Sequence, residues 1–194
     1  MSSNQDTRPL EPGLGKYLID LARASIRHGL ETGRPLPIDL SGLPPPLAAQ
    51  RATFVTLKKG GELRGCIGCL EAVKPLAVDV ADNAFSAAFR DPRFPPVTAD
   101  EIDGLDIHIS LLTPPEPMSF VSEADLIAQL RPGIDGLILQ EGLRRGTFLP
   151  TVWEILPTPK AFLRQLKLKS GLPEDYWSDT LRIFRYRAES IDQS

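Results

Sequence analysis

Cysteine and histidine are scarce in this sequence, with two of each among 194 residues. Two cysteines cannot build a disulfide framework, and without an export signal they fit a reducing compartment in which thiols stay free. A zinc site would have to draw on Cys66, Cys69, His28 and His108 together, and their spacing supports no such cluster, so neither a metal nor a cofactor is expected. An excess of one charge is missing too. The 22 basic and 25 acidic residues leave a formal net charge of −3 and a pI near 5.5, which gives no long-range field for collecting phosphate polymers. Nucleic acid is therefore disfavoured as a partner, although Arg144, Arg145, Arg182, Arg185 and Arg187 could form a local basic patch. No stretch approaches the ~20 apolar residues of a membrane span, and the polar start Met1 to Asp6 has neither a basic region nor an apolar run. A cytoplasmic protein without membrane contact is expected. Walker loops, G-x-G-x-x-G turns, H-E-x-x-H, G-x-S-x-G and radical-cluster cysteine triplets are all absent, which removes most common enzyme classes.

What remains is a chain with 42% hydrophobic residues, enough to fill a core without a staple. Residues 1–12 read as a loose tail, and 13–190 as the folded part. Leu14, Leu18, Leu21, Ala22 and Ile26 recur at helical spacing up to Gly29 to Gly33. Five prolines between Arg34 and Pro46 forbid regular structure, so this segment reads as a semi-rigid crossing that separates two lobes. Ala52 to Lys58 and Glu62 to Leu70 form a hairpin about Gly60-Gly61. Pro75 opens a helix from Leu76 to Phe89 that stops at Asp91-Pro92. Leu105 to Leu112 alternates as a half-buried strand. Ser122 starts a helix over Leu126 to Leu130, Gly136 to Gln140 and Gly146 to Leu149 read as strands, and Thr158-Pro159 caps a helix running to Gly171. Leu181 to Arg187 reads as an edge strand. Hairpins interrupted by helices favour an α+β fold over a doubly wound α/β one.

Chemistry points to Leu63-Arg-Gly-Cys-Ile-Gly68. On an extended backbone the period of two puts Glu62, Arg64 and Cys66 on one side and Leu63, Ile67 and Cys69 on the other. A guanidinium beside a thiol suits nucleophilic attack or ligand contact, and Gly65 and Gly68 leave space for close approach by a ligand or another backbone. The plainer reading is a small buried hydrophobe between packing glycines. His108 projects away from Ile107 and Ile109, and Cys66 with His108 forms the one nucleophile–base pair worth considering, with Asp106 available to orient the imidazole. Asp91 and Arg93 suit either a structural corner or an arginine clamp for a carboxylate or phosphate.

These residues carry a resemblance. Leu63 to Gly68, Asn83-Ala84 with Ala87-Ala88-Phe89, Asp91-Pro-Arg-Phe-Pro-Pro-Val97, Ile109 to Pro114, Thr147-Phe-Leu-Pro-Thr-Val-Trp-Glu154 and Lys169-Ser-Gly-Leu172 together resemble the AMMECR domain family over about residues 10 to 190. The resemblance implies a two-lobed α+β fold with an antiparallel or mixed sheet and flanking helices, and a cleft between the lobes near Arg64 to Gly68. It also implies a place as protein A of the AmmeMemoRadiSam system, beside Memo-like and radical S-adenosylmethionine proteins. Where relatives often have Leu-Cys-Leu-Lys-Ala-Gly-Leu, this chain has Leu166-Lys-Leu-Lys-Ser-Gly-Leu172, which leaves Cys66 as the thiol to test. Two functions are carried forward. One is a cytosolic enzyme or enzyme component that binds a small polar, anionic molecule, with Cys66 and His108 as catalytic residues and Arg64, Gly65, Gly68, Asp91 and Arg93 as ligand contacts. The other is a non-catalytic scaffold subunit of that system.

Overall fold

The computed structural model describes residues 10–193. Of the tail expected over 1–12, residues 1–9 lie outside the described residues, and the first helix begins at Pro12. The chain folds as two compact units, one running up to Leu112 and resumed from Glu189, the other Thr113–Ala188. Each has its own hydrophobic core. The proline-rich segment from Arg34 to Pro46 separates no lobes, since it lies wholly inside the first unit.

The first unit contains α1 (Pro12–Thr32), the short α2 (Pro45–Ala48), β1 (Thr53–Lys59), β2 (Glu62–Gly68), α3 (Leu76–Phe89), a 3-10 turn (Ala99–Gly104) and β3 (Leu105–Leu112). Its sheet has the order β2-β1-β3-β8, where β8 is Ala188–Asp192 returning from the end of the chain. Alternation decides the faces: Val55, Leu57, Ile107, Ile109 and Leu111 are fully buried, in one core with residues of α1 and α3. Helix α3 is buried almost all round. Its alanines at 77, 81, 84, 87 and 88 keep it thin enough to approach the sheet closely. A polar knot fixes its register, because Asp79 Oδ2 accepts the Thr53 amide at 2.9 Å, the Thr53 hydroxyl at 2.6 Å and the Asn83 side-chain amide at 3.0 Å.

The second unit contains β4 (Glu116–Pro117), α4 (Glu123–Gln129), β5 (Gly136–Glu141), β6 (Arg144–Phe148), a 3-10 turn (Pro150–Glu154), α5 (Pro159–Lys169) and β7 (Arg182–Tyr186). Helix starts follow the capping logic: the Ser122 and Thr158 side chains accept the amides of Asp125 and Ala161. The sheet order is β4-β7-β5-β6, so β7 lies between two strands rather than at an edge as its alternating basic pattern suggested. Trp153 stacks on Phe162 with ring centroids 3.8 Å apart, and its indole N–H donates to the Asp135 carbonyl at 2.7 Å.

Lys167, where the chain departs from the pattern it resembles, is fully buried. Its ammonium donates to Glu123 Oε1 at 2.6 Å and lies 5.8 Å from the Trp177 ring centroid. A buried ion can be exchanged for an apolar residue of similar length at little net cost, whereas truncation leaves a cavity. Lys167→Met is expected to hold stability within about 1 kcal/mol. Lys167→Ala should lower it by about 3 kcal/mol in urea unfolding. Equal losses in both variants would mean that the ammonium itself stabilises the unit.

Candidate functional site

A bulge shapes the cysteine strand. Across the β1–β2 ladder Leu57 faces Gly65 but Lys58 faces Leu63, so Arg64 is an extra residue without a partner on β1. The simple alternation expected from the sequence therefore fails at this point. Cys66 sits opposite Thr56 and shares a face with Leu63, while Arg64 is turned out of that row. Its guanidinium closes a two-pronged ion pair with Glu101, Nε to Oε1 at 3.1 Å and Nη2 to Oε2 at 3.0 Å. It also donates to the carbonyls of Pro95 and Pro96 at 2.9 and 3.3 Å. With that side chain only 12% exposed, Arg64 ties β2 to the 91–97 loop and to the 3-10 turn. Glu101 in turn accepts the Thr98 amide and hydroxyl, and the Arg64 pairing holds its carboxyl far below the usual carboxylate range.

Asp91 and Arg93 seal the free edge of β2. Asp91, 4% exposed, accepts the Cys66 amide at 2.9 Å on Oδ2, together with Arg93 Nη2 at 2.7 Å. Its Oδ1 takes the Arg93 amide and Nε at 3.1 and 3.0 Å. Arg93 Nη2 also donates to the Cys66 carbonyl at 3.3 Å. Together the pair imitates a neighbouring strand, offering an acceptor to the outward N–H and a donor to the outward C=O of residue 66. The Arg93 guanidinium, then the amides of Cys66 and Arg93, hold the Asp91 carboxyl well below the ordinary range. Arg93 remains 55% exposed, and its Nη1 has no hydrogen-bond partner among the described residues.

Cys66 is partly exposed, and its sulfur accepts the Thr56 hydroxyl hydrogen at 3.2 Å. Thr56 is also the cross-strand partner of His108 on β3, so Cys66, Thr56 and His108 form one row on the sheet face opposite the helices. One strand lies between thiol and imidazole. At two strand spacings, about 10 Å, they cannot share a direct hydrogen bond. His108 Nδ1 instead lies 2.6 Å from Asp192 Oδ1 on β8, so Asp192, not Asp106, orients the ring. Sequence reasoning missed Thr56, Glu101 and Asp192. Only the Thr98–Glu101 capping-box spacing could have flagged one of them.

The two glycines have packing partners. A Cβ on Gly65 would lie 2.1 Å from the carbonyl oxygen of Ala87 on α3, and one on Gly68 would lie 2.4 Å from Phe54 Cγ and the Thr53 carbonyl oxygen. At both positions the close approach is made by neighbouring parts of the fold. Every residue of the site belongs to the first unit.

The comparisons agree with this architecture. A protein from Methanothermobacter thermautotrophicus is 41% identical over 187 residues, covering 93% of this chain and 95% of its own length. One from Thermotoga maritima is 45% identical over 178 residues, covering 90% of this chain and 94% of its own. The crystal structure of an uncharacterized protein from Pyrococcus horikoshii superposes with a TM-score of 0.84 at 34% identity, covering 93% of this chain and 92% of that one. The α+β fold expected from the residues is thereby shared with a solved relative. Among the described residues no helix is long and apolar enough to cross a membrane. The AMMECR1 family model matches residues 19–191, a span that takes in the bulged cysteine strand, its Asp91–Arg93 edge clamp and both units, and this chain belongs to that family.

Proposed function

We propose that the chain is an enzyme component that binds a small anionic molecule at Arg93 and presents it to the Cys66 thiol, working with Memo-like and radical S-adenosylmethionine partners. One observation carries the reading: a half-exposed guanidinium, its Nη1 without a partner among the described residues, is anchored by Nη2 to the Cys66 carbonyl and by Nε and Nη2 to the Asp91 carboxylate. A planar fork held this way is prepared for a carboxylate or phosphate oxygen. The chemistry is narrowed as well. The Cys66 amide is engaged by Asp91, so it is not offered to a developing oxyanion. Cys66 serves as ligand contact or nucleophile toward an anion held by Arg93, with Arg64 and Asp91 as positioning residues. His108, paired with Asp192, stands in the same row at the far side of Thr56.

Iodoacetate and iodoacetamide separate charge recognition from intrinsic thiol reactivity. In a Cys69→Ser background, Cys66 should favour the anionic reagent, relative to free cysteine, by a factor on the order of ten. Arg93→Gln should abolish that preference and Arg93→Lys should restore part of it. A ratio equal to that of free cysteine, indifferent to residue 93, would remove the anion site.

The scaffold reading has its own support, because Leu63 is 42% exposed on the same face as Cys66. Partner capture that survives Cys66→Ser but fails in Leu63→Asp would favour it.

A further inference from the structure

Among the described residues the outer side of β8 has no strand partner. It is the last strand in the order β2-β1-β3-β8, and among the described residues no backbone hydrogen bond reaches Glu189–Asp192 from beyond its sheet. Along this edge runs a groove of about 430 Å³, bounded on one side by consecutive strand residues from Glu189 to Gln193 and on the other by the α1 flank from Gly15 to Arg23. The groove has a shape, since Ile191 packs against Gly15 at its floor. Leu10 also lines it, its amide donating to the Glu189 carboxylate at 3.1 Å.

Its lining is net acidic. The lining carries Glu11, Asp20, Glu189 and Asp192 against Lys16 and Arg23. Arg23 is turned inward, donating to the carbonyls of Ile102 and Leu105 at 2.7 and 3.0 Å and to Gln193 Oε1 at 2.7 Å. Asp192 is paired with His108 and Glu189 accepts the Leu10 amide, so among the described residues Glu11 and Asp20 are the carboxylates that the α1 flank offers, beside Lys16. A second copy of the chain pairing β8 to β8 would bring Glu189 and Asp192 against the same acidic residues, which disfavours self-association.

We propose that this groove is a docking site for an extended basic segment of a partner protein, which adds a strand to β8. Main-chain hydrogen bonds to the free edge hold the peptide, and its alternate lysine or arginine side chains meet Asp20 and Glu11 on the α1 side. A strand of five residues, the length of β8, matches the open edge. This surface shares Asp192 with the His108 row but includes neither Cys66 nor Arg93, so its failure would leave the anion reading untouched.

The probe is a fluorescein-labelled peptide, Lys-Val-Arg-Val-Lys, titrated onto the full chain and followed by anisotropy, with amide shifts mapped by NMR. Binding is expected to perturb residues 189–193 and to weaken at least tenfold in Asp20→Lys, a surface change that leaves the core intact. It should also fall at least tenfold for a peptide N-methylated at alternate backbone nitrogens, because the edge bonds are then lost. The proposal is overturned by absence of binding, by indifference to N-methylation, or by shift changes confined to other residues. Concentration-dependent dimerisation abolished by Asp20→Lys would assign the edge to a second copy and overturn it equally.

Discussion

Gly65→Ala is expected to lower the unfolding free energy of the first unit by about 3 kcal/mol, at the upper end of the overpacking range. The added methyl would sit 2.1 Å from the Ala87 carbonyl oxygen and 3.0 Å from its carbonyl carbon. Both partners are backbone, so no side chain can rotate away. Helix α3 cannot retreat, because ten of its residues are buried and its register is held by the Thr53–Asp79–Asn83 knot. Strand β2 has to yield instead, which strains the Asp91 contact to the very next residue. In a chain of this size the loss corresponds to a melting-temperature fall of roughly 6–12 °C. Gly13→Ala, on α1 with open space around it, is the control and should stay within about 0.5 kcal/mol of the parent. If the two variants melt alike, the contact between β2 and α3 is not as tight as its geometry states.

Much of the fold was legible because its strongest signals are local. Helix α3 runs from Leu76 to Phe89 and β3 from Leu105 to Leu112, the spans that the proline stop and the strict alternation indicate. The misses are also physical. Strand β8, Ala-Glu-Ser-Ile-Asp, has a single large apolar residue and no alternation to read, and it owes its place to pairing with a strand some eighty residues earlier. With it went Asp192, the orienting partner of His108, and Asp106 was an inference from nearness in sequence. The alternating basic pattern of β7 suggested an edge, but sheet order is fixed by long-range pairing that a pattern within one strand does not carry. At the site, the period-two rule put Arg64 beside Cys66. It failed because one bulged residue shifts every side chain beyond it to the other face. A bulge depends on what the partner strand offers, so it leaves little trace in its own strand. The motif was recognisable while its geometry was not.

Asp91→Ala should be as damaging as any substitution outside the hydrophobic core, with about 3 kcal/mol lost at neutral pH. Removing the carboxylate leaves the outward Cys66 amide without its acceptor, and a buried unsatisfied N–H costs about 1–3 kcal/mol. It also releases Arg93, which loses three hydrogen bonds from its own side chain and main chain to Oδ1 and Oδ2. Because Arg93 is half in water, its charge can rehydrate, and the penalty stays below that of breaking a fully buried pair. Asp91→Asn keeps the shape but turns an amide donor toward donors, and should cost about 2 kcal/mol. The pH dependence separates the charge from the shape. Asp91 and Glu101 both titrate well below their unfolded counterparts, so below about pH 5 the unfolded chain binds more protons and stability falls with pH. Asp79 opposes this, because burial raises its carboxyl and protonation favours the folded form. Urea unfolding at pH 7, 5 and 3 should therefore show a steep loss in the parent between pH 5 and 3 and a distinctly shallower one in Asp91→Asn. The two chains should converge in stability as acid neutralises the group that distinguishes them. Parallel curves would mean that the carboxylate charge at residue 91 does not hold the edge of the cysteine strand, and Arg93 would then lose the anchor that prepares it for a ligand.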